Sequence, residues 1–179
     1  MHAIRATPRH ARAIEATADL LNRLKIDAMF VGSVARSAYL GSEVEHGAID
    51  VLTLMNGPQK NQVAMMGSNR GFRVEREELA ATEELDLVPM NFVDPDGDVR
   101  VHVLLATNAL YGRMFGNAVE TNLGERALKV PGAEDVALLL AVTGDEDSVR
   151  MLTMLPDFNR HRYNQRLVSI GLGRMVVAE

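Results

Sequence analysis

The chain has 179 residues, 47% of them apolar and 24% charged, with a formal net charge of -5 and no cysteine. That length suits one domain, with at most a small helical extension, and the balanced composition excludes a disordered tail or a membrane-embedded body. The negative charge gives no bulk attraction to nucleic acid or anionic membrane, and the lack of cysteine excludes disulfides, thiol nucleophiles and Cys-ligated metals.

The amino-terminal stretch "MHAIRATPRHARAIEATADLLNRL" has no uninterrupted apolar segment, and no later window reaches the roughly 18 apolar residues that a membrane span needs. A cytoplasmic protein without membrane contact is expected. Thr7-Pro8 opens a helix, with Thr7 as N-cap, and Ile14, Ala18, Leu21 and Leu24 recur at helical spacing to about Lys25. "AMFV", Ala28 to Val31, is a short apolar run and predicts a buried strand ended by Gly32. A short helix from Ser33 to Leu40 follows, closed by Gly41.

"AIDVLTLM" predicts a second buried strand beside the first, both central in the sheet, and "GPQKNQVAMMGSN" a helix after Gly57-Pro58. The runs "LDLVPMNFV" and "VRVHVLLA" flank Asp94-Pro95-Asp96-Gly97 and predict a hairpin. "NALYGRMFGNAVE" predicts a helix and "RALKVPG" a short strand; from Ala133 three helices follow, broken at Gly144 and Pro156. The expected fold class is thus α/β (α+β), a mixed sheet flanked by helices. Residues 1–132 form the core, and residues 133–179 a helical extension packed on it within one structural unit.

The chemistry concentrates in "FVGSVARSAYLGSEVEHGAIDVLTL". A strand that ends in Gly32-Ser33 and opens a helix gathers free backbone N–H groups and the positive end of the helix dipole at one point, which suits a phosphate. Gly32 allows close backbone approach, and Ser33 either donates its hydroxyl or caps the helix. On the next strand, positions 48, 50 and 52 share a face, so a carboxylate pair there would hold Mg²⁺ beside a triphosphate at the turn.

This stretch resembles the nucleotidyltransferase superfamily, whose fingerprint is a Gly-Gly or Gly-Ser turn, a short helix, then Asp-x-Asp or Asp-x-Glu on the next strand. It is similar in particular to the AbiEii-type and minimal nucleotidyltransferases of bacterial toxin–antitoxin systems, in "FVGSVARSAYLG" and in "AEDVALLLA" with "DEDSVRML". The resemblance implies a nucleotidyltransferase-like sheet, an NTP as ligand or substrate, and Mg²⁺ as cofactor. It assigns catalysis and metal binding to Asp50, and nucleotide binding to Gly32, Ser33 and Arg36, although Arg36 is also a candidate ion-pair partner for Asp50. It also implies an RNA or an antitoxin-like protein as partner.

The sequence departs from the fingerprint. With Asp50 as the second carboxylate, Ala48 stands in the first position; with Asp50 as the first, Leu52 stands in the second. The third carboxylate position, on "VRVHVLLA", carries His102, and the Lys that often follows the Glu-Asp of the carboxyl-terminal helix is replaced within Leu138, Leu139 and Leu140. One Asp can hold a single metal-bound nucleotide, but it is a poor basis for two metals. The expectation is therefore a nucleotidyltransferase-fold protein with an incomplete metal site that binds a nucleotide with weak or no transfer.

Two alternatives stay open. One is an active enzyme that recruits Glu43, Glu45 or Asp86 and transfers a nucleotide to RNA or protein; the other is a non-catalytic partner-binding module. Elsewhere, Asp94 to Asp98 reads as an exposed hairpin tip and not as a calcium loop. The acidic run Glu75, Glu77, Glu78, Glu83 and Glu84 reads as a solvated helix face, and Arg162 and Arg166 as part of an intramolecular salt-bridged face.

Overall fold

The structure, a computed structural model, describes residues 1–75, 87–106 and 109–173. Its elements in chain order begin with β1 (Arg5–Ala6), α1 (Pro8–Arg23), β2 (Asp27–Phe30), α2 (Gly32–Leu40), β3 (Glu43–Val44), β4 (Ile49–Leu54) and α3 (Gly57–Asn69). They continue with β5 (Arg73–Glu75), β6 (Leu87–Val93), β7 (Arg100–Ala106), α4 (Ala109–Gly116), β8 (Val119–Leu123) and β9 (Arg126–Val130). Three helices close the described chain: α5 (Ala133–Val142), α6 (Glu146–Thr153) and α7 (Arg160–Ser169).

Five strands form one mixed sheet in the order β2-β4-β7-β6-β5, in which only β4 and β7 run parallel. The fold is the expected mixed α/β sheet flanked by helices. Apolar alternation explains how it is covered. Val51, Val103, Val101 and Phe92 share one face through the strand register. Against that face lie α1 and α3, where Gly67 brings its backbone close to Leu20, Phe72 and Phe92. The other face carries Leu52 and Leu104, and α2 packs beside β4. The carboxyl-terminal helices α5 and α6 pack in turn on α2.

Several sequence expectations need correction. β2 lies next to β4 as expected, but it is the edge of the five-stranded sheet and not central. Its apolar character reflects cover from α1 and from the β8–β9 hairpin, and not a strand on each side. The first helix stops at Arg23, because Lys25 turns the chain with φ of 52°. Thr7 does occupy the N-cap position, yet its hydroxyl bonds His10 Nδ1 at 2.8 Å and makes no cap bond.

The segment read as a helix through Glu120 ends its helix at Gly116, and Val119 already starts β8. Glu75 belongs to strand β5, where it pairs with Arg100 at 3.7 Å, and not to a helix. The rest of that acidic run lies outside the described residues. No helix among the described residues is long and apolar enough to cross a membrane.

Candidate functional site at the glycine-serine turn

The turn forms because β2 ends against β4, with the Val31 N–H donating to the Asp50 carbonyl at 2.9 Å. Gly32 then takes φ of 56°, a left-handed conformation that glycine adopts without steric cost, and α2 starts. A Cβ on Gly32 would sit 2.6 Å from Asp50 Oδ2, so the Asp50 carboxylate lies directly over the turn backbone. The Asp50 side chain thus sits beside Gly32 at the start of α2.

Ser33 does not cap the helix. The N-cap is Val31, without a side-chain cap bond, because α2 already begins at Gly32 and leaves Ser33 inside the first turn. Its Oγ is buried and has no hydrogen-bond partner. Arg36 does not pair with Asp50: its Nη1 donates to Asp145 Oδ2 at 3.1 Å, and its buried Nε is unpartnered. The guanidinium therefore ties α2 to the start of α6.

Asp50 instead meets His102. The two are register partners on the parallel strands β4 and β7, and His102 Nδ1 donates to Asp50 Oδ1 at 2.8 Å. The carboxylate can only accept, so the proton of a neutral imidazole sits on Nδ1 and leaves Nε2 a bare lone pair. That Nε2 is buried without a partner. The register continues from His102 to Asn91 and from Asn91 to Glu75, so four polar side chains cross four strands in one row. Because paired residues share a face, this row lies on the face that carries Leu52 and Leu104.

Asp50 is half-buried, with 32% of its side chain exposed, so one oxygen is shared with His102 while the carboxylate keeps contact with solvent above the turn. Ala48 occupies the neighbouring i−2 position. Glu43 and Glu45 are exposed, and Asp86 lies outside the described residues. Among the described residues no group of three His, Asp or Glu side chains is placed to hold a metal ion.

Sequence reasoning missed His10. It is buried at 1% exposure, and its Nε2–H donates to the Gly47 carbonyl at 3.3 Å, which pins the loop leading into β4 to α1. The signal was the Thr7-x-x-His10 spacing at a helix start. The hairpin tip is exposed from Pro95 to Asp98, but Asp94 itself is buried, because its carboxylate accepts from the N–H groups of Asp96, Asp98 and Val99 and closes the turn. Arg166 forms a buried ion pair with Asp135 on α5.

No family model matches the sequence, and no curated protein matches it either. Solved structures do share its fold. The crystal structure of ANT(2")-Ia in complex with adenylyl-2"-tobramycin superposes with a TM-score of 0.62 at 14% identity, covering 90% of this chain and 97% of that one. The solution structure of the same antibiotic-resistance factor gives 0.64 at 15% identity, with 90% of each chain covered. The lincosamide antibiotic adenylyltransferase LnuA, bound to lincomycin, gives 0.59 at 14% identity over 84% of this chain and 98% of that one. The chain has a nucleotidyltransferase-like fold.

Proposed function

We propose that this protein binds a nucleotide at the Gly32-Ser33 turn and that its capacity for nucleotidyl transfer is weak or absent. The reading rests on one observation, the Asp50 carboxylate held over the Gly32 backbone at the start of α2. Backbone N–H groups and the helix dipole meet a phosphate there, and Asp50 supplies the one carboxylate that a nucleotide-bound Mg²⁺ would contact. Mg²⁺ keeps most of its waters and takes its other oxygens from phosphate, so one protein carboxylate suffices for a bound metal–nucleotide.

The residues present do not fit a two-metal reaction centre. Ala48 offers no ligand, and a neutral His102 adds no negative charge to offset two divalent ions. His102 also occupies one oxygen of Asp50, the one carboxylate seen at the turn among the described residues. The metal site is in this sense incomplete. The adenylyl group on tobramycin in one fold neighbour and the lincosamide adenylyltransferase activity of another make ATP the first nucleotide to test and small polar hydroxyl compounds the first acceptors. A toxin–antitoxin partner rests on sequence resemblance alone.

Calorimetry with Mg²⁺–ATP tests the reading before any acceptor is known. Wild type should bind, Asp50→Asn should not, and Ala48→Asp should bind metal more tightly because it restores a carboxylate pair on one face. Absence of binding at millimolar nucleotide would overturn the proposal. Label transfer from ATP to a hydroxyl acceptor at rates typical of enzymes, about 1 s⁻¹ or faster, would overturn the claim of weak transfer.

A further inference from the structure

The outer edge of β2 carries a second feature that the turn does not use. β2 pairs with β4 alone, and the β8–β9 hairpin lies beside its other edge without joining the ladder. Between them opens a cavity of about 160 Å³. Leu21 of α1, Ile26, and Leu128 of β9 supply its apolar walls, and Ala28 and Phe30 of β2 line the strand side. None of Gly32, Ser33, Asp50 or His102 lines it. Two ion pairs strap the hairpin over the opening, Lys129 to Asp27 and Arg126 to Asp19, each at 2.8 Å.

The strand register says which backbone groups face this space. Val31 donates to the Asp50 carbonyl, and Phe30 is opposite Val51, so Val31, Met29 and Asp27 are the positions bonded to β4. In an antiparallel pair the alternate residues turn their N–H and C=O away from the partner strand. Those residues are Ala28 and Phe30, and both line the cavity, with Asp27 beside them at the start of the strand. Neither makes a hydrogen bond outward to the hairpin among the described residues. Glu120 of β8, an exposed residue, lines the cavity from the hairpin side.

We propose that this cavity is a binding site for a small planar heterocycle with adjacent hydrogen-bond donor and acceptor atoms and an amino substituent. The ring plane would lie between the apolar walls, its polar edge would pair with the free N–H and C=O groups of Ala28 and Phe30, and the amino group would face Glu120. Size agrees with one six-membered ring, since a cavity of about 150 Å³ in another protein takes up benzene. A strand edge with unsatisfied backbone groups also provides the directionality that an apolar cavity lacks.

The test uses the full chain, isotope-labelled, with 2-aminopyridine as probe and toluene as a ring of similar size without donor or acceptor. 2-Aminopyridine should shift the Ala28 and Phe30 amide resonances with a dissociation constant on the order of millimolar, as expected for so few atoms. Toluene should bind about tenfold more weakly, the difference that one net hydrogen bond makes. Ala28→Leu and Ala127→Leu, which fill the space from its two sides, should each abolish the shifts while the melting temperature stays near wild type. Glu120→Gln should weaken 2-aminopyridine and leave toluene unchanged, and Asp50→Asn should change neither.

Equal affinity for the two probes would overturn the strand-edge reading. Shifts confined to residues around Gly32, or no binding of 2-aminopyridine at tens of millimolar, would overturn the site. If one filling variant fails to fold, the other still decides.

Discussion

Asp94 and Asp50 are acidic residues at the ends of neighbouring parts of one sheet, and their surroundings differ in kind. Asp94 is 2% exposed and accepts three backbone N–H bonds at 2.7 to 3.3 Å, so its charge is satisfied by the turn it closes. Asp50 has one His partner and an oxygen over a glycine, and Nε2 of that His102 and Oγ of Ser33 at the turn are buried without partners. A buried polar group without a partner costs about 1–3 kcal/mol, so a fold that leaves two of them at the turn and at its His102 has not optimised that region for stability. The contrast separates an acid that builds the fold from one that is available to a ligand.

The carboxyl-terminal layer supplies the extreme of the first type. Asp135 is 1% exposed and pairs with Arg166, itself largely buried. Asp135→Ala removes one partner and strands the other charge, which should cost about 3–5 kcal/mol in urea denaturation. A loss under about 1 kcal/mol would mean that water reaches Arg166, and the contrast with Asp50 would fail there.

Asp94→Ala should cost about 2–3 kcal/mol, because three N–H groups lose a charged acceptor at once. The matching Asp50→Asn should change stability by less than about 1 kcal/mol while it removes nucleotide binding. Equal destabilisation by the two substitutions, with no ligand effect from Asp50→Asn, would erase the distinction. Denaturant midpoints of both variants, with and without Mg²⁺–ATP, measure it.

Gly32→Ala sharpens the comparison from the backbone side. A left-handed φ costs a non-glycine residue about 1–2 kcal/mol, and the new Cβ must push Asp50 away from 2.6 Å. Stability should fall by at least that amount, and ligand affinity should fall with it. Gly47, at φ of 80° with nothing within 4 Å of an added Cβ, is the control that carries the strain alone.

The turn, the strand of Asp50 and the hairpin at Asp94 were legible because their signals are local: Gly-Ser after an apolar run, alternation, and Asp-Pro-Asp-Gly. What was not legible depended on partners far along the chain. β1 and β3 are two-residue strands that exist only because Arg5 and Ala6 pair with Glu43 and Val44. The edge position of β2 could not be read, since cover by a helix and a hairpin produces the same apolar run as cover by strands. The Asp50–His102 bond requires β4 and β7 to be parallel neighbours, and neither strand's pattern carries that adjacency. Arg36 was readable as a helix residue near the turn, but its turn toward Asp145 belongs to the packing of α6 on α2.

The smallest expected effect lies at that last contact and carries a pH signature. Asp145 is the N-cap of α6; its Oδ1 accepts from the Ser148 N–H and its Oδ2 from Arg36, both at 3.1 Å. Burial alone would raise its pKa, but the Ser148 bonds and the Arg36 charge outweigh burial and hold it below the ordinary carboxylate value. A carboxyl group depressed in the folded state contributes stability that is fully present above its unfolded pKa, near 4, and is lost as pH falls through the lower folded value. Asp145→Asn keeps a capping oxygen and removes the charge, so it should cost about 1 kcal/mol or less at pH 7. The cost should shrink as pH falls below about 4 and through the lower folded value, where wild-type Asp145 takes up a proton. Melting temperatures of both proteins between pH 7 and pH 2 check this: a gap that stays constant across the range would mean that the Arg36–Asp145 pair adds no electrostatic stability. α2, with the Gly32–Ser33 turn at its start, would then be held against α6 by packing alone.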